Sequence, residues 1–228
     1  RFSLHHKGIF SEQIRALLRA GHGYPLKIMF PLISSVDDFL QAAGVVKECL
    51  ETLKLEGIEH NPHPELGVMV ELPSAVGVIE ELAREADFIS IGTNDLVQYM
   101  LAVDRTNRLI KDMYQCYHPA ILRAIRRIVD AAARENTPLS CCGDAAAEPF
   151  MIPFLVGAGL RALSVTPPAV PRIRQTIQGL NSALAREHAE KLLQMGTIAA
   201  VDTELDQFRP AQETVKAADD VSGSAPQA

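Results

Sequence analysis

A chain of 228 residues, 47% hydrophobic and 5% aromatic, is long enough for one sizeable core and ordinary for a globular α/β protein. Its net charge of −6, of which −4 falls between Asp202 and the C-terminus, argues against nucleic acid as a partner. No apolar run approaches the ~20 residues of a membrane-spanning helix. Cys49, Cys116, Cys141 and Cys142 have no CxxC spacing, which suits neither a disulfide framework nor a zinc site and points to a reducing cytoplasm.

The first residues lack the apolar region of a signal peptide, and the chain opens on Arg1, so it reads as a piece of a longer protein. Ile9, Phe10, Ile14, Leu17 and Leu18 form a helical stripe over 9–20, ended by Gly21 and Gly23. KIMFPLI (27–33) is a β-like run. Ser34, Ser35 and Asp37 supply N-cap chemistry for a helix to about Leu55, and a polar loop follows.

The runs Leu66–Leu72 and Phe88–Gly92 are the next strands, separated by a helix over 74–86. LVQYMLAVDR is a short helix or turn. Pro119, with apolar positions 121, 122, 125, 128 and 129, marks an amphipathic helix for which His118 is the starting residue. PLSCCG (138–143) is a fourth strand, 148–159 a helix, ALSVT (162–166) a fifth strand, and 169–195 helical with a break near Gly179. Residues 1–195 read as one domain and 196–228 as a C-terminal extension whose last ~20 residues have a disordered composition.

Five strands alternating with helices predict a parallel sheet, apolar on both faces, with polar residues gathered at the strand C-terminal ends. Five units cannot close an eight-stranded barrel, so the sheet is either open or a barrel whose first three strands lie upstream. Parallel pairing of the second and third strands brings Glu71 and Asp95 to one rim. Two carboxylates there suit a hard divalent cation, or simply caps for the helices that follow. From the residues alone Arg105 is a surface ion-pair partner of Asp104 or a neighbouring acid, and Asn94 a turn residue. His60 and His63 share a loop with no third ligand, which discounts zinc.

KIMFPLISS, GVMVELPSA, DFISIGTNDLVQYMLAVDRTN, YHPAILR and CCGDAA, in this order, resemble the C-terminal phosphoenolpyruvate-binding domain of Enzyme I of the phosphoenolpyruvate-dependent phosphotransferase system, from about residue 1 to residue 178. The resemblance implies a (β/α)8 TIM barrel present only as its last five or so strand–helix units. It implies a phosphoenolpyruvate-protein phosphotransferase that moves a phosphoryl group from phosphoenolpyruvate to a histidine on a missing N-terminal domain and releases pyruvate, the fragment alone being inactive.

By the same resemblance Glu71 and Asp95 bind Mg²⁺, Asn94 and Arg105 hold the phosphate, and Cys142 delivers a proton to C3 of the pyruvate enolate. The implied partners are a phosphocarrier protein of the HPr type and a second copy in a homodimer. The family's catalytic arginines would precede Arg1. Two departures stand out, Asp144 where the family usually has Glu and Leu72 after the metal glutamate. Alternatives are a Mg²⁺-dependent pyruvate-enolate lyase or aldolase, against which Cys142 and LAVDRTN argue, and a non-catalytic dimerisation module.

Overall fold

The computed structural model of the chain describes residues 2–206. Two helices open it, α1 (Phe2–His5) and α2 (Lys7–Ala20), and α2 buries Phe10, Ile14 and Leu18 of the predicted stripe while Ile9 and Leu17 stay exposed. Strand β1 (Lys27–Phe30) is shorter than the run 27–33, because Pro31 has no N–H to pair and Leu32 turns to φ 54°. Helix α3 (Val36–Leu55) begins where Ser35 Oγ accepts the Asp38 N–H at 3.1 Å.

Strand β2 (Glu65–Val70) leads into α4 (Pro73–Gly77) and α5 (Ile79–Glu85), so the helix predicted over 74–86 is broken at Val78. Strand β3 (Phe88–Gly92) has its predicted bounds, and α6 (Thr93–Leu101) starts on the next residue. Helix α7 (Pro119–Glu135) buries all five predicted apolar positions, and His118 Nδ1 caps it by accepting the Ala120 N–H at 3.1 Å. Strand β4 (Leu139–Cys142), α8 (Asp144–Ala147), a 3-10 turn over Pro149–Met151 and α9 (Ile152–Ala158) follow. Then come α10 (Val170–Gln178), α11 (Ser182–Gln194), capped by Asn181, and α12 (Ile198–Asp206), which buries Val201 and Leu205. The compositional expectation for the last ~20 residues falls outside the described residues.

The strands pair in parallel in the order β1-β2-β3-β4. The predicted fifth strand is a correction: 162–166 meets β4 through one bridge, Cys141 to Leu163, held by Cys141 N–H to Ala162 O and Ser164 N–H to Cys141 O. Just past that bridge β4 ends at Cys142, where Gly143 turns to φ 88°, so the ladder goes no further in that direction.

The two faces of the sheet differ, which corrects the expectation of burial on both. Ile28, Phe30, Val68, Val70, Ile89, Ile91 and Cys141 are buried in one apolar core with residues of α3, α5 and α7. On the opposite face Met29 is 37% exposed, and Met69, Ser140 and Cys142 are half-buried. Side chains alternate along a strand, so one face joins the helices and the other is left for chemistry. Among the described residues no helix is long and apolar enough to cross a membrane.

Candidate active site

The open face reads across three strands in register. Met69 pairs with Ser90, and Gly92 with Cys142, so Met69, Glu71, Ser90, Gly92, Ser140 and Cys142 share it. A side chain at Gly92 would bring its Cβ to 2.9 Å from both Glu71 Oε2 and Met69 Sδ. The glycine therefore makes the space that Glu71 occupies.

Glu71 is 4% exposed and stands one residue past the end of β2. Its Oε1 accepts the Leu32 N–H at 2.7 Å. Leu32 has φ 54°, a left-handed conformation that costs an L residue ~1–2 kcal/mol, and this backbone presents its N–H to the carboxylate. Burial raises the Glu71 carboxyl above the ordinary carboxylate range, the Leu32 N–H opposes the rise, and the neighbouring Asp95 carboxylate adds to it. Asp95, in the first turn of α6, is thus close enough to Glu71 to repel it.

The turns after β3 and β4 are joined by two hydrogen bonds. Thr93 Oγ1 donates to Cys142 O at 2.7 Å, and Asn94 Oδ1 accepts the Asp144 N–H at 2.7 Å. Gly143 lies between them at φ 88°, and a Cβ there would overlap Thr93 Oγ1 and Asn94 Oδ1. Cys142 Sγ donates to Ile91 O at 3.4 Å and accepts from Ser90 Oγ at 3.7 Å. Cys141 points to the helix-covered face, where burial pushes its thiol up to about 12.

Arg105 lies in the exposed loop after α6 with Nη1 3.9 Å from Asp144 Oδ2. The shorter Asp144, in place of the family's usual Glu, thus faces Arg105 with its side chain and Asn94 with its backbone. The structure therefore brings Glu71, Asp95, Asn94 and Cys142 to one rim, with Arg105 at its edge. Three further residues take part that the sequence pattern did not single out, Leu32, Ser90 and Tyr114, beside Thr93, which belongs to the polar strand ends. The Tyr114 hydroxyl donates to Asn94 O at 3.4 Å, and burial, with Asp144 nearby, raises it so that it stays a donor. The run GTND contained Thr93 as a signal; nothing in the pattern marked Leu32, whose contribution is a backbone N–H.

Among the described residues no group of three or more His, Cys, Asp or Glu side chains could hold a metal ion. Two carboxylates, one of them raised chiefly by burial and further by the other, fit an ion that takes one or two carboxylates and completes its shell with water and substrate oxygens, as Mg²⁺ does. An apolar groove of about 960 Å³, lined in part by Phe10, Ile14, Met29, Leu32, Leu72 and Tyr99, runs along the unpaired side of β1 and does not share this chemistry.

Residues 1–182 match the family model described as the PEP-binding domain of PEP-utilising enzymes. Over 201 residues the chain is 40% identical to the phosphoenolpyruvate-protein phosphotransferase of Priestia megaterium, which covers 88% of this chain and 35% of that protein. Over 208 residues it is 39% identical to the phosphoenolpyruvate-protein phosphotransferase of Mycoplasma capricolum, covering 91% of this chain and 36% of that protein. The chain thus spans about a third of the length of these relatives. A solved citrate lyase from Burkholderia xenovorans LB400 superposes with a TM-score of 0.55 at 18% identity, covering 95% of this chain and 70% of that one. That likeness concerns the fold alone, and with the parallel sheet it makes the architecture a partial (β/α) barrel.

Proposed function

Because this chain belongs to the PEP-utilising enzymes through their PEP-binding domain, we propose that it is the metal- and substrate-holding part of a phosphoenolpyruvate-protein phosphotransferase. One observation carries the reading: the buried Glu71 carboxyl, held by the Leu32 N–H and near enough to Asp95 to be raised by it, lies on the rim that also holds the Asn94 amide and the Cys142 thiol.

Glu71 and Asp95 hold Mg²⁺, which when bound neutralises charge on phosphate and enolate oxygens. Asn94 gives its Oδ1 to the Asp144 N–H, which orients its NH₂, a pair of donors, for the phosphate. Arg105 supplies a planar, permanently charged fork for the same group. The phosphoryl group passes to a histidine outside this chain and leaves the enolate of pyruvate. Cys142 protonates that enolate at C3: the S–H bond breaks, a C–H bond forms, and the electron pair stays on sulfur as a thiolate that water reprotonates.

On this reading the enzyme is a cytoplasmic homodimer that phosphorylates an HPr-type carrier for sugar transport, with residues 1–195 as its barrel portion. Thermal unfolding of the 228-residue chain in Mg²⁺ plus phosphoenolpyruvate tests the site. The expected result is a raised Tm that Glu71→Gln abolishes; a Tm unmoved by the pair of ligands in the parent chain overturns the reading.

A further inference from the structure

Ser90 is buried to 4% exposure on the open face of β3, one residue from the fully buried Ile89 and Ile91 that point the other way. A hydroxyl at such a position must find a partner or carry the cost of its lost hydration. Its partner is sulfur: Oγ donates to Cys142 Sγ at 3.7 Å. The pairing register explains how two side chains from different levels of the sheet meet. Cys142 stands opposite Gly92, which has no side chain, and Ser90 is the diagonal neighbour across that gap. The thiol proton is meanwhile directed at Ile91 O, 3.4 Å away. The sulfur is therefore held from two sides, its proton on a carbonyl and its lone pair on a hydroxyl.

We propose that Ser90 is a positioning residue for Cys142, donating an O–H···S hydrogen bond that strengthens when the thiol gives up its proton. The proton-donor role of Cys142 rests on the function proposed above; the Ser90 contact does not. A neutral thiol is a weak acceptor, whereas a thiolate takes a charge-assisted hydrogen bond roughly twice as strong as a neutral one. The contact therefore gains strength as the proton leaves the sulfur, which is the direction needed when Cys142 acts as an acid. Thr93 has a different task, because its hydroxyl holds the Cys142 carbonyl and fixes the backbone rather than the sulfur.

The test is alkylation of the 228-residue chain by iodoacetamide at pH 8, without metal or phosphoenolpyruvate, read peptide by peptide by mass spectrometry. In that reaction the thiolate forms a C–S bond, iodide leaves and the thiol proton goes to buffer. Alkylation draws on the charged sulfur, the form that accepts the Ser90 O–H most strongly, so Ser90→Ala should make Cys142 react about threefold more slowly. Ser90→Thr, which keeps the hydroxyl, should return the rate to that of the parent, with Cys116 unchanged in both. If Ser90→Ala exposes Cys141 and so reports a lost fold, Ser90→Gly removes the same O–H and takes its place. Cys142 reacting at the parent rate without the hydroxyl overturns the proposal, as does equal slowing in the Thr and Ala variants. Since no substrate is present, failure here is distinct from failure to bind phosphoenolpyruvate.

Discussion

Asn94 Oδ1 and the Asp144 N–H, 50 residues apart in sequence, share a 2.7 Å hydrogen bond that ties the turn after β3 to the turn after β4. With the Thr93 hydroxyl on Cys142 O, it sets the height of the thiol relative to the Asn94 amide. Neither bond could form if residue 143 carried a side chain, since its φ is 88° and a Cβ would overlap both Thr93 Oγ1 and Asn94 Oδ1. Gly143→Ala is expected to cost about 2 kcal/mol or more, from left-handed strain plus the displaced pair of bonds. Chemical denaturation with an unchanged midpoint would show that the two turns separate freely.

Two helical glycines should respond to alanine with opposite signs. Gly44, within α3, has nothing within 4 Å of the point where an alanine methyl would stand, so Gly44→Ala gains roughly 1 kcal/mol of helix propensity. Gly157, within α9, lets that helix approach α11 so closely that a methyl would overlap the Ala185 carbonyl oxygen. Gly157→Ala should therefore lose roughly 1–3 kcal/mol through overpacking, despite the better propensity. Matching shifts of Tm in the two variants would contradict the α9–α11 contact.

These contrasts show why part of the molecule could be read from sequence and part could not. Burial patterns carried far: the stripe of α7, the bounds of β3 and the rim position of Glu71 and Asp95 follow from periodicity and from parallel pairing. The helix over 74–86 reads as one element from its apolar spacing, yet it breaks at Val78, just past Gly77 and between the β-branched Val76 and Ile79, all of low helix propensity. The fifth strand failed because ALSVT has a strand's composition, yet β4 ends one residue past Cys141 and gives it a single bridge. At the site, the carboxylates at the strand ends were legible, whereas Ser90 and Tyr114 act through hydroxyls that no strand-end pattern marked. Leu32, which acts through an N–H in a left-handed turn, carries no mark in its side chain.

The adjacent Cys141 and Cys142 should differ sharply in reactivity. Cys141 is buried against the helices and its thiol is pushed up to about 12, so near pH 8 on the order of one molecule in 10⁴ carries the thiolate. Iodoacetamide should label Cys142 in the folded chain and leave Cys141 untouched, with both labelled in denaturant. The same shift fixes a sign for stability. The unfolded thiol ionises near its ordinary 9.0 and the folded one near 12, so the folded state binds the extra proton between them. Stability then falls as pH rises through that window. Labelling of Cys141 at the rate of Cys142 in the native chain would place both on the open face.

The carboxylate pair makes the last expectation the most specific, because metal and proton compete for it. Burial, with Asp95 beside it, raises Glu71 in the folded chain above its ordinary 4.5. Between the unfolded and folded values the native state holds a proton that the unfolded state has lost, so stability falls as pH rises through that window and stays lower above it. Glu71→Gln cannot ionise and its Oε1 can still accept the Leu32 N–H. Without metal it should equal the parent below pH 4.5 and exceed it at pH 7. Mg²⁺ reverses the order: at about 100 times its Kd it should add about 2.7 kcal/mol to the parent by mass action and nothing to the variant. Urea denaturation of both chains at pH 4 and pH 7, with and without Mg²⁺, supplies the four comparisons. A parent more stable than Glu71→Gln at pH 7 in the absence of metal would mean that burial and Asp95 do not raise Glu71 in the folded chain. A Mg²⁺ gain equal in the two chains would place the ion away from this rim.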